Sequence, residues 1–202
     1  MTPDVVIIDS GGANLTSLRY AFERLDARAE VSSDGSRIAS ADRVVLPGVG
    51  NAAHAMRRLR DAQLIEVIRT LTQPVLGICL GMHLLFQRSA EGPTACLNLL
   101  PYAVESLTVL PGLPVPHMGW NQLRSLRNDP MLEGIKDGDH FYFVHRYAAP
   151  VTEHTLASSE YGVAIAAVVR HRNFWGAQFH PERSGAAGSQ MLANFLQVQP
   201  CC

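Results

Sequence analysis

The chain has 202 residues, 47% of them hydrophobic and 17% charged, and a formal net charge of −1. That size suits one domain with a full core, and the composition is that of an ordinary soluble protein. Near-neutrality argues against nucleic-acid binding, which calls for a basic surplus, and no apolar run reaches the length of a membrane span.

The opening residues, Met1-Thr2-Pro3-Asp4, carry no basic segment and lead straight into an apolar run, so a signal peptide is not expected. That run begins at Val5, ends at Asp9 and is closed by Ser10-Gly11-Gly12. It reads as a strand buried on both faces. Leu15, Leu18, Ala21, Phe22 and Leu25 recur at helical spacing and predict a helix over 14–26, with Asn14 as N-cap. Val44-Val45-Leu46 predicts the next strand, which runs into Pro47-Gly48-Val49-Gly50. Helices follow over 52–59 and 64–71, then a strand over 75–79 and a helix over 80–87. This alternation implies a mostly parallel sheet with helices on both faces.

The second half reads differently. Strands are predicted over 104–110, 113–121, 140–144, 155–158, 163–169 and 174–179, and helical spacing returns only at 191–195. The expected fold class is α/β: an open, mixed, largely parallel sheet flanked by helices, with an added antiparallel region. No long linker or repeat interrupts the chain, so residues 1–202 are expected to form a single domain. The cysteines, Cys79, Cys96, Cys201 and Cys202, have neither a disulfide-framework spacing nor a zinc-type CxxC. A reduced, cytoplasmic setting is expected, with Cys201-Cys202 as an untied tail and neither metal nor cofactor.

Two short segments carry chemistry. Gly77-Ile78-Cys79-Leu80-Gly81 follows the apolar Pro74-Val75-Leu76, which places Cys79 on a sharp strand-to-helix turn. Such an elbow strains the backbone of its central residue, and flanking glycines relieve the crowding. At a helix N-terminus the dipole and free N–H groups favour a thiolate, and the N–H of Leu80 becomes an oxyanion donor. The competing reading is an inert buried thiol.

The second segment is Gln178-Phe179-His180-Pro181-Glu182-Arg183-Ser184. His180 and Glu182 lie two apart at a strand end, so both point the same way. A glutamate bonded to an imidazole fixes its tautomer and stabilises the imidazolium. The alternative is a surface histidine beside a solvated carboxylate. Strand ends in an open parallel sheet converge on one edge, which would bring this pair to Cys79. The other histidines, His54, His83, His117, His140, His145, His154 and His171, read as structural or exposed, except His83, one helical turn after Cys79. Gly48 and Gly50 could let backbone N–H groups approach an anion, or simply make a strand-to-helix turn. Neither that loop nor Ser10-Gly11-Gly12 matches a nucleotide-binding fingerprint.

Gly-Ile-Cys-Leu-Gly-Met with a late His-Pro-Glu resembles the class I, triad-type glutamine amidotransferases. Asp9-Ser10-Gly11-Gly12-Ala13-Asn14-Leu15, the 47–50 loop, Pro116-His117-Met118-Gly119-Trp120-Asn121, Tyr142-Phe143-Val144-His145 and the segment 178–184 narrow the resemblance to glutaminase subunits of the imidazole glycerol phosphate synthases. Together these matches span nearly the whole chain. The resemblance implies a flavodoxin-like fold and a Cys79–His180–Glu182 triad that attacks glutamine and releases ammonia. It places Gly48, Val49, Gly50, Leu80, His83, Arg146 and Tyr147 at the oxyanion and substrate. It implies a separate (β/α)₈-barrel cyclase as heterodimer partner, met through Met118, Trp120, Tyr142 and Arg183. The joint products would be imidazole glycerol phosphate and aminoimidazole carboxamide ribotide, in histidine biosynthesis.

Two positions depart from the family pattern. His83 stands where glutamine is usual, and Arg146 where serine or threonine is usual. An imidazole still offers one hydrogen bond but titrates, and a guanidinium can pair with a substrate carboxylate. These changes leave open a weak or silent glutaminase that serves mainly as a regulatory subunit for partner binding; the other enzyme reading is the glutaminase of another class I amidotransferase, or a related cysteine hydrolase.

Overall fold

A computed structural model of the chain describes residues 3–10 and 15–199. The expected Gly11-Gly12 turn, the Asn14 cap and the Cys201-Cys202 tail lie outside the described residues. In chain order the elements are β1 (Asp4–Ile8), α1 (Leu15–Glu23), β2 (Arg28–Ser32), α2 (Gly35–Ser40), β3 (Arg43–Gly48), α3 (Ala52–Asp61), α4 (Leu64–Arg69), β4 (Val75–Cys79) and α5 (Leu80–Leu85). There follow β5 (Phe86–Ser89), β6 (Thr94–Ala95), β7 (Leu100–Ser106), β8 (His117–Gln122), β9 (His140–His145), β10 (Tyr147–Ala148), β11 (Thr155–Tyr161), β12 (Val163–His171), β13 (Phe174–Ala177) and α6 (Gly185–Gln197).

Seven strands form the main sheet, in the order β11-β12-β13-β4-β3-β1-β2. The run from β13 to β2 is parallel, and β12 and β11 add on antiparallel at one edge. The buried strands alternate between two cores, as the period of two requires. Val5, Ile7, Val45, Leu76 and Trp175 face one side and pack with Leu18 and Phe22 of α1 and Phe195 of α6. Val6, Ile8, Val44, Leu46 and Val75 face the other and pack with Ile38, Met56, Leu59, Ile68 and Leu80. Helices thus cover both faces, as the alternation of elements predicts. Among the described residues, no helix is long and apolar enough to cross a membrane.

The second half departs in detail from the expected pattern. It supplies β11, β12 and β13 to the main sheet, a four-stranded sheet β10-β7-β5-β6, and the antiparallel pair β8–β9. Helix α5 stops at Leu85, because Phe86 pairs with Leu100 and opens β5. The strand expected over 104–110 instead runs from Leu100 to Ser106, and the N–H of Leu107 turns to the carbonyl of Arg146, 2.9 Å away. Helix α6 extends well beyond the predicted 191–195. Strand β2 and helix α2 are additional elements.

Candidate active site

Cys79 ends β4 and caps α5 with φ 53° and ψ −110°, a strained left-handed conformation for a side-chain-bearing residue. Close packing around it explains the glycines. A Cβ on Gly77 would lie 2.7 Å from the carbonyl oxygen of Gly81, and one on Gly81 would lie 1.7 Å from that of Leu46. Gly48, paired with Cys79 across β3–β4, would drive a Cβ to 2.8 Å from the Cβ of Leu80. These glycines let the elbow close against the neighbouring strand. Cys79 is 7% exposed, and its Sγ lies 3.7 Å from the carbonyl oxygen of Val144.

His180 arrives from the end of β13, the strand next to β4. Its Nδ1 is 2.9 Å from Oε1 of Glu182, and both side chains are almost fully buried. Its backbone N–H bonds the carbonyl of Tyr142 at 2.9 Å, and its carbonyl accepts the Ser184 hydroxyl at 2.6 Å. Nε2 is buried and makes no hydrogen bond of normal length, so Cys79 acts on the ring at somewhat longer range. Burial alone would discharge the imidazole. Hydrogen bonding and charge from Cys79 and Glu182 outweigh it and raise its pKa to about 10. The ring facing Cys79 and Glu182 therefore holds a proton more firmly than an ordinary imidazole, and can carry one from the thiol to a leaving nitrogen.

A pocket of about 330 Å³ opens over the cysteine. Its lining includes Val49, Gly50 and Leu80, the run from Val144 to Tyr147, and His83 and His180. Gly48 lies beneath, against Leu80, and does not line it. The hydroxyl of Ser10 donates to the carbonyl of Pro47 at 2.8 Å and ties the loop to the end of β1. Leu80 sits in the first turn of α5, where its N–H has no partner within the helix. It can serve as an oxyanion donor.

His83 is buried, with Nε2 2.8 Å from Oε1 of Gln178. Burial lowers its pKa to about 4 despite that bond. It is neutral at physiological pH, with one nitrogen committed to Gln178. Arg146, an exposed residue, lines the same pocket.

Sequence reasoning missed Glu91, Pro116, Val144 and His145 as pocket residues. Glu91 accepts the N–H of Ala52 at 3.0 Å, and burial raises its pKa. No local pattern marks it, because it reaches the pocket from the turn after β5. Tyr142 and Val144 share one face of β9 by the period of two, and Val144 leads from the pocket to an aromatic patch. There Trp120 (56% exposed) meets Tyr142 edge-on at 6.0 Å, the Arg183 guanidinium lies 4.9 Å from the Tyr142 ring, and Met118 is 63% exposed. Of the four residues expected at an interface, Trp120, Tyr142 and Arg183 therefore gather, and Met118 pairs on the adjacent strand with Val144 of the pocket.

The glutamine amidotransferase class-I family matches residues 6–198. The chain belongs to the class I glutamine amidotransferases. It is 52% identical to the imidazole glycerol phosphate synthase subunit HisH of Idiomarina loihiensis, over 98% of this chain and all of that one. It is 48% identical to the HisH subunit of Haemophilus influenzae strain Rd, over 98% of each chain. PurLQS of Thermotoga maritima superposes with a TM-score of 0.73 at 18% identity, over 98% of this chain and 99% of that one. A glutamine amidotransferase of Thermotoga maritima superposes with a TM-score of 0.69 at 16% identity, over 98% and 97%. These superpositions bear out the α/β amidotransferase fold. In this amidotransferase, His83 and Arg146 both stand at the pocket that the elbow cysteine faces.

Proposed function

We propose that this amidotransferase is the glutaminase of an imidazole glycerol phosphate synthase, and that Cys79, His180 and Glu182 are its triad. The observation that carries the reading is the buried His180–Glu182 pair acting on a strained elbow cysteine at the floor of one pocket. The Cys79 thiol gives its proton to His180 as sulfur attacks the side-chain carboxamide of glutamine and forms a C–S bond. The oxyanion takes N–H groups from Leu80 and the Val49–Gly50 segment. The imidazolium gives its proton to the departing nitrogen, the C–N bond breaks, and ammonia leaves behind a glutamyl thioester. Water, deprotonated by the now neutral His180, then hydrolyses the thioester to glutamate.

An α-amino acid carries both charges, and the pocket offers both complements: Arg146 for the carboxylate and Glu91 for the ammonium. The chain is one domain and works in the cytoplasm. Ammonia passes to a separate (β/α)₈-barrel cyclase, which docks on the face of Met118, Trp120, Tyr142 and Arg183. An exposed tryptophan beside an arginine suits such a contact. The products of the complex are imidazole glycerol phosphate and aminoimidazole carboxamide ribotide, in histidine biosynthesis.

One observation favours a second reading, a silent glutaminase kept for partner binding: Nε2 of His83 is taken up by Gln178 rather than left for a ligand. The test is ammonia release from glutamine with and without the cyclase and its nucleotide substrate. The glutaminase reading expects hydrolysis that the loaded cyclase accelerates. Cyclization supported only by added ammonia would instead establish the silent glutaminase.

A further inference from the structure

Strand β9 holds both reactive residues by its backbone. The carbonyl of Val144 faces the Cys79 sulfur at 3.7 Å, and the carbonyl of Tyr142 takes the His180 N–H at 2.9 Å. The N–H of Tyr142 in turn bonds the Ser184 hydroxyl, which donates to the His180 carbonyl. On its other edge, among the described residues, β9 pairs with β8 alone, in the register His117↔His145, Met118↔Val144 and Trp120↔Tyr142. The position of β9 is set by this pairing together with Phe141 and Phe143, which are buried in the core against Phe179.

A chain of hydrogen bonds, buried at His117 and His145, adds to the backbone ladder between the two strands, and it runs in one direction. Nδ1 of His145 lies 2.9 Å from the carbonyl oxygen of Tyr147, an acceptor only, so Nδ1 carries the proton. Its Nε2, 2.9 Å from Nδ1 of His117, must then accept when the ring is neutral. His117 is thereby protonated at Nδ1, and its Nε2 accepts from Nδ2 of Asn121 at 3.3 Å. Asn121 is fixed at its far end by the carbonyl of Glu160 and the N–H of Gln122. The His117 ring also stacks on Tyr161 at 3.9 Å and on Phe143 at 5.0 Å. Burial lowers the pKa of His117 to about 4 and of His145 to about 3, consistent with two neutral rings.

We propose that the His117–His145 hydrogen bond is a positioning clamp, which locks β8 to β9 and so sets where the Val144 and Tyr142 carbonyls hold Cys79 and His180. Neither histidine handles a proton of the reaction. Met118 and Trp120 stand between His117 and Asn121 on β8 and pair directly with Val144 and Tyr142, so a partner pressing on them bears on the strand that the clamp holds.

The inference rests on the glutaminase reading for its kinetic test, and a chemical test stands apart from it. His117→Phe keeps a stacking ring and removes the bond. His117→Asn discards the ring and keeps an N–H near the Nδ1 position. In the complex with the cyclase, His117→Phe is expected to lower kcat for glutamine by about tenfold or more, since small misplacements of reacting groups are costly. KM should stay within about twofold, because uniform substrate binding is untouched. His117→Asn should recover most of kcat. In the chain alone, alkylation of Cys79 by iodoacetamide, read on its own peptide by mass spectrometry, should slow several-fold in His117→Phe and not in His117→Asn. Equal behaviour of the two variants, or no change in either, overturns the clamp. If the wild-type complex hydrolyses no glutamine, the glutaminase reading fails and the alkylation ratio still decides the clamp. Should His117→Phe not fold, His145→Gln against His145→Leu tests the same bond from the acceptor side, with a faster His145→Gln expected and equal rates contradicting the proposal.

Discussion

Glu182 holds one carboxylate oxygen 2.9 Å from Nδ1 of His180, with both side chains shut away from water. The carboxylate is one of the groups that keep the imidazole charged against its burial. Glu182→Gln keeps the shape and removes the charge, and its amide can present N–H to the ring and favour the wrong tautomer. Loss of kcat by on the order of a hundredfold to ten-thousandfold is expected, with KM for glutamine little changed. Steady-state kinetics of the complex check this. A variant within a few fold of wild type would remove Glu182 from the machinery.

Gly81 has no room for a side chain. A methyl group there would sit 1.7 Å from the carbonyl oxygen of Leu46, on the adjacent strand. Gly81→Ala should cost at least about 3 kcal/mol of stability, at the upper end for forced overpacking. Urea denaturation measures it. Gly50→Ala is a useful contrast: nothing lies within 4 Å of a Cβ there, and its φ of +93° leaves backbone strain as the cause of any loss.

Arg146 and Glu91 are expected to read the two charges of the substrate's amino-acid end. Each of Arg146→Ala and Glu91→Gln should raise KM for glutamine by about tenfold or more, the loss of one charge-assisted contact. kcat should change less than KM in both. A KM unmoved in Arg146→Ala would mean that only its backbone meets the ligand.

His83 ties stability to pH. Its folded pKa of about 4 lies below the ordinary 6.5, so between those values the unfolded chain binds a proton that the folded chain refuses. Stability therefore falls as pH drops through that window. His83→Gln should flatten the dependence between about pH 5 and 6 by on the order of 1.4 kcal/mol per pH unit, about one proton. His180 has the opposite sign. Raised to about 10, it stabilises fully below pH 6.5 and loses that contribution as pH climbs toward 10. Unfolding free energies of wild type and His83→Gln across pH test the first effect, and parallel curves would contradict it.

The main sheet was legible where burial is complete. Strand β4 spans Val75–Cys79 as predicted, because every one of its residues is buried and the apolar run has clear ends. Strand β2, at the sheet edge, escaped notice because Arg28 and Glu30 interrupt its apolar pattern. Helix α5 is shorter than its spacing suggests because Phe86 continues a helical pattern, yet it pairs with Leu100 across a sheet that no local pattern announces. At the site, Cys79, His180 and Glu182 stood out because an elbow and a strand end have local signatures. His117 and His145 stood within motifs of the resemblance, but their pairing and the place of Glu91 did not show, since these arise from cross-strand register and from the turn after β5.

Central to the proposed chemistry is a covalent bond at Cys79. The complex with the loaded cyclase can be mixed with glutamine, quenched in acid within one turnover, and digested for mass spectrometry. A γ-glutamyl thioester on the Cys79 peptide, absent from Cys79→Ala together with ammonia release, is the predicted result. Ammonia release that persists undiminished in Cys79→Ala would contradict it.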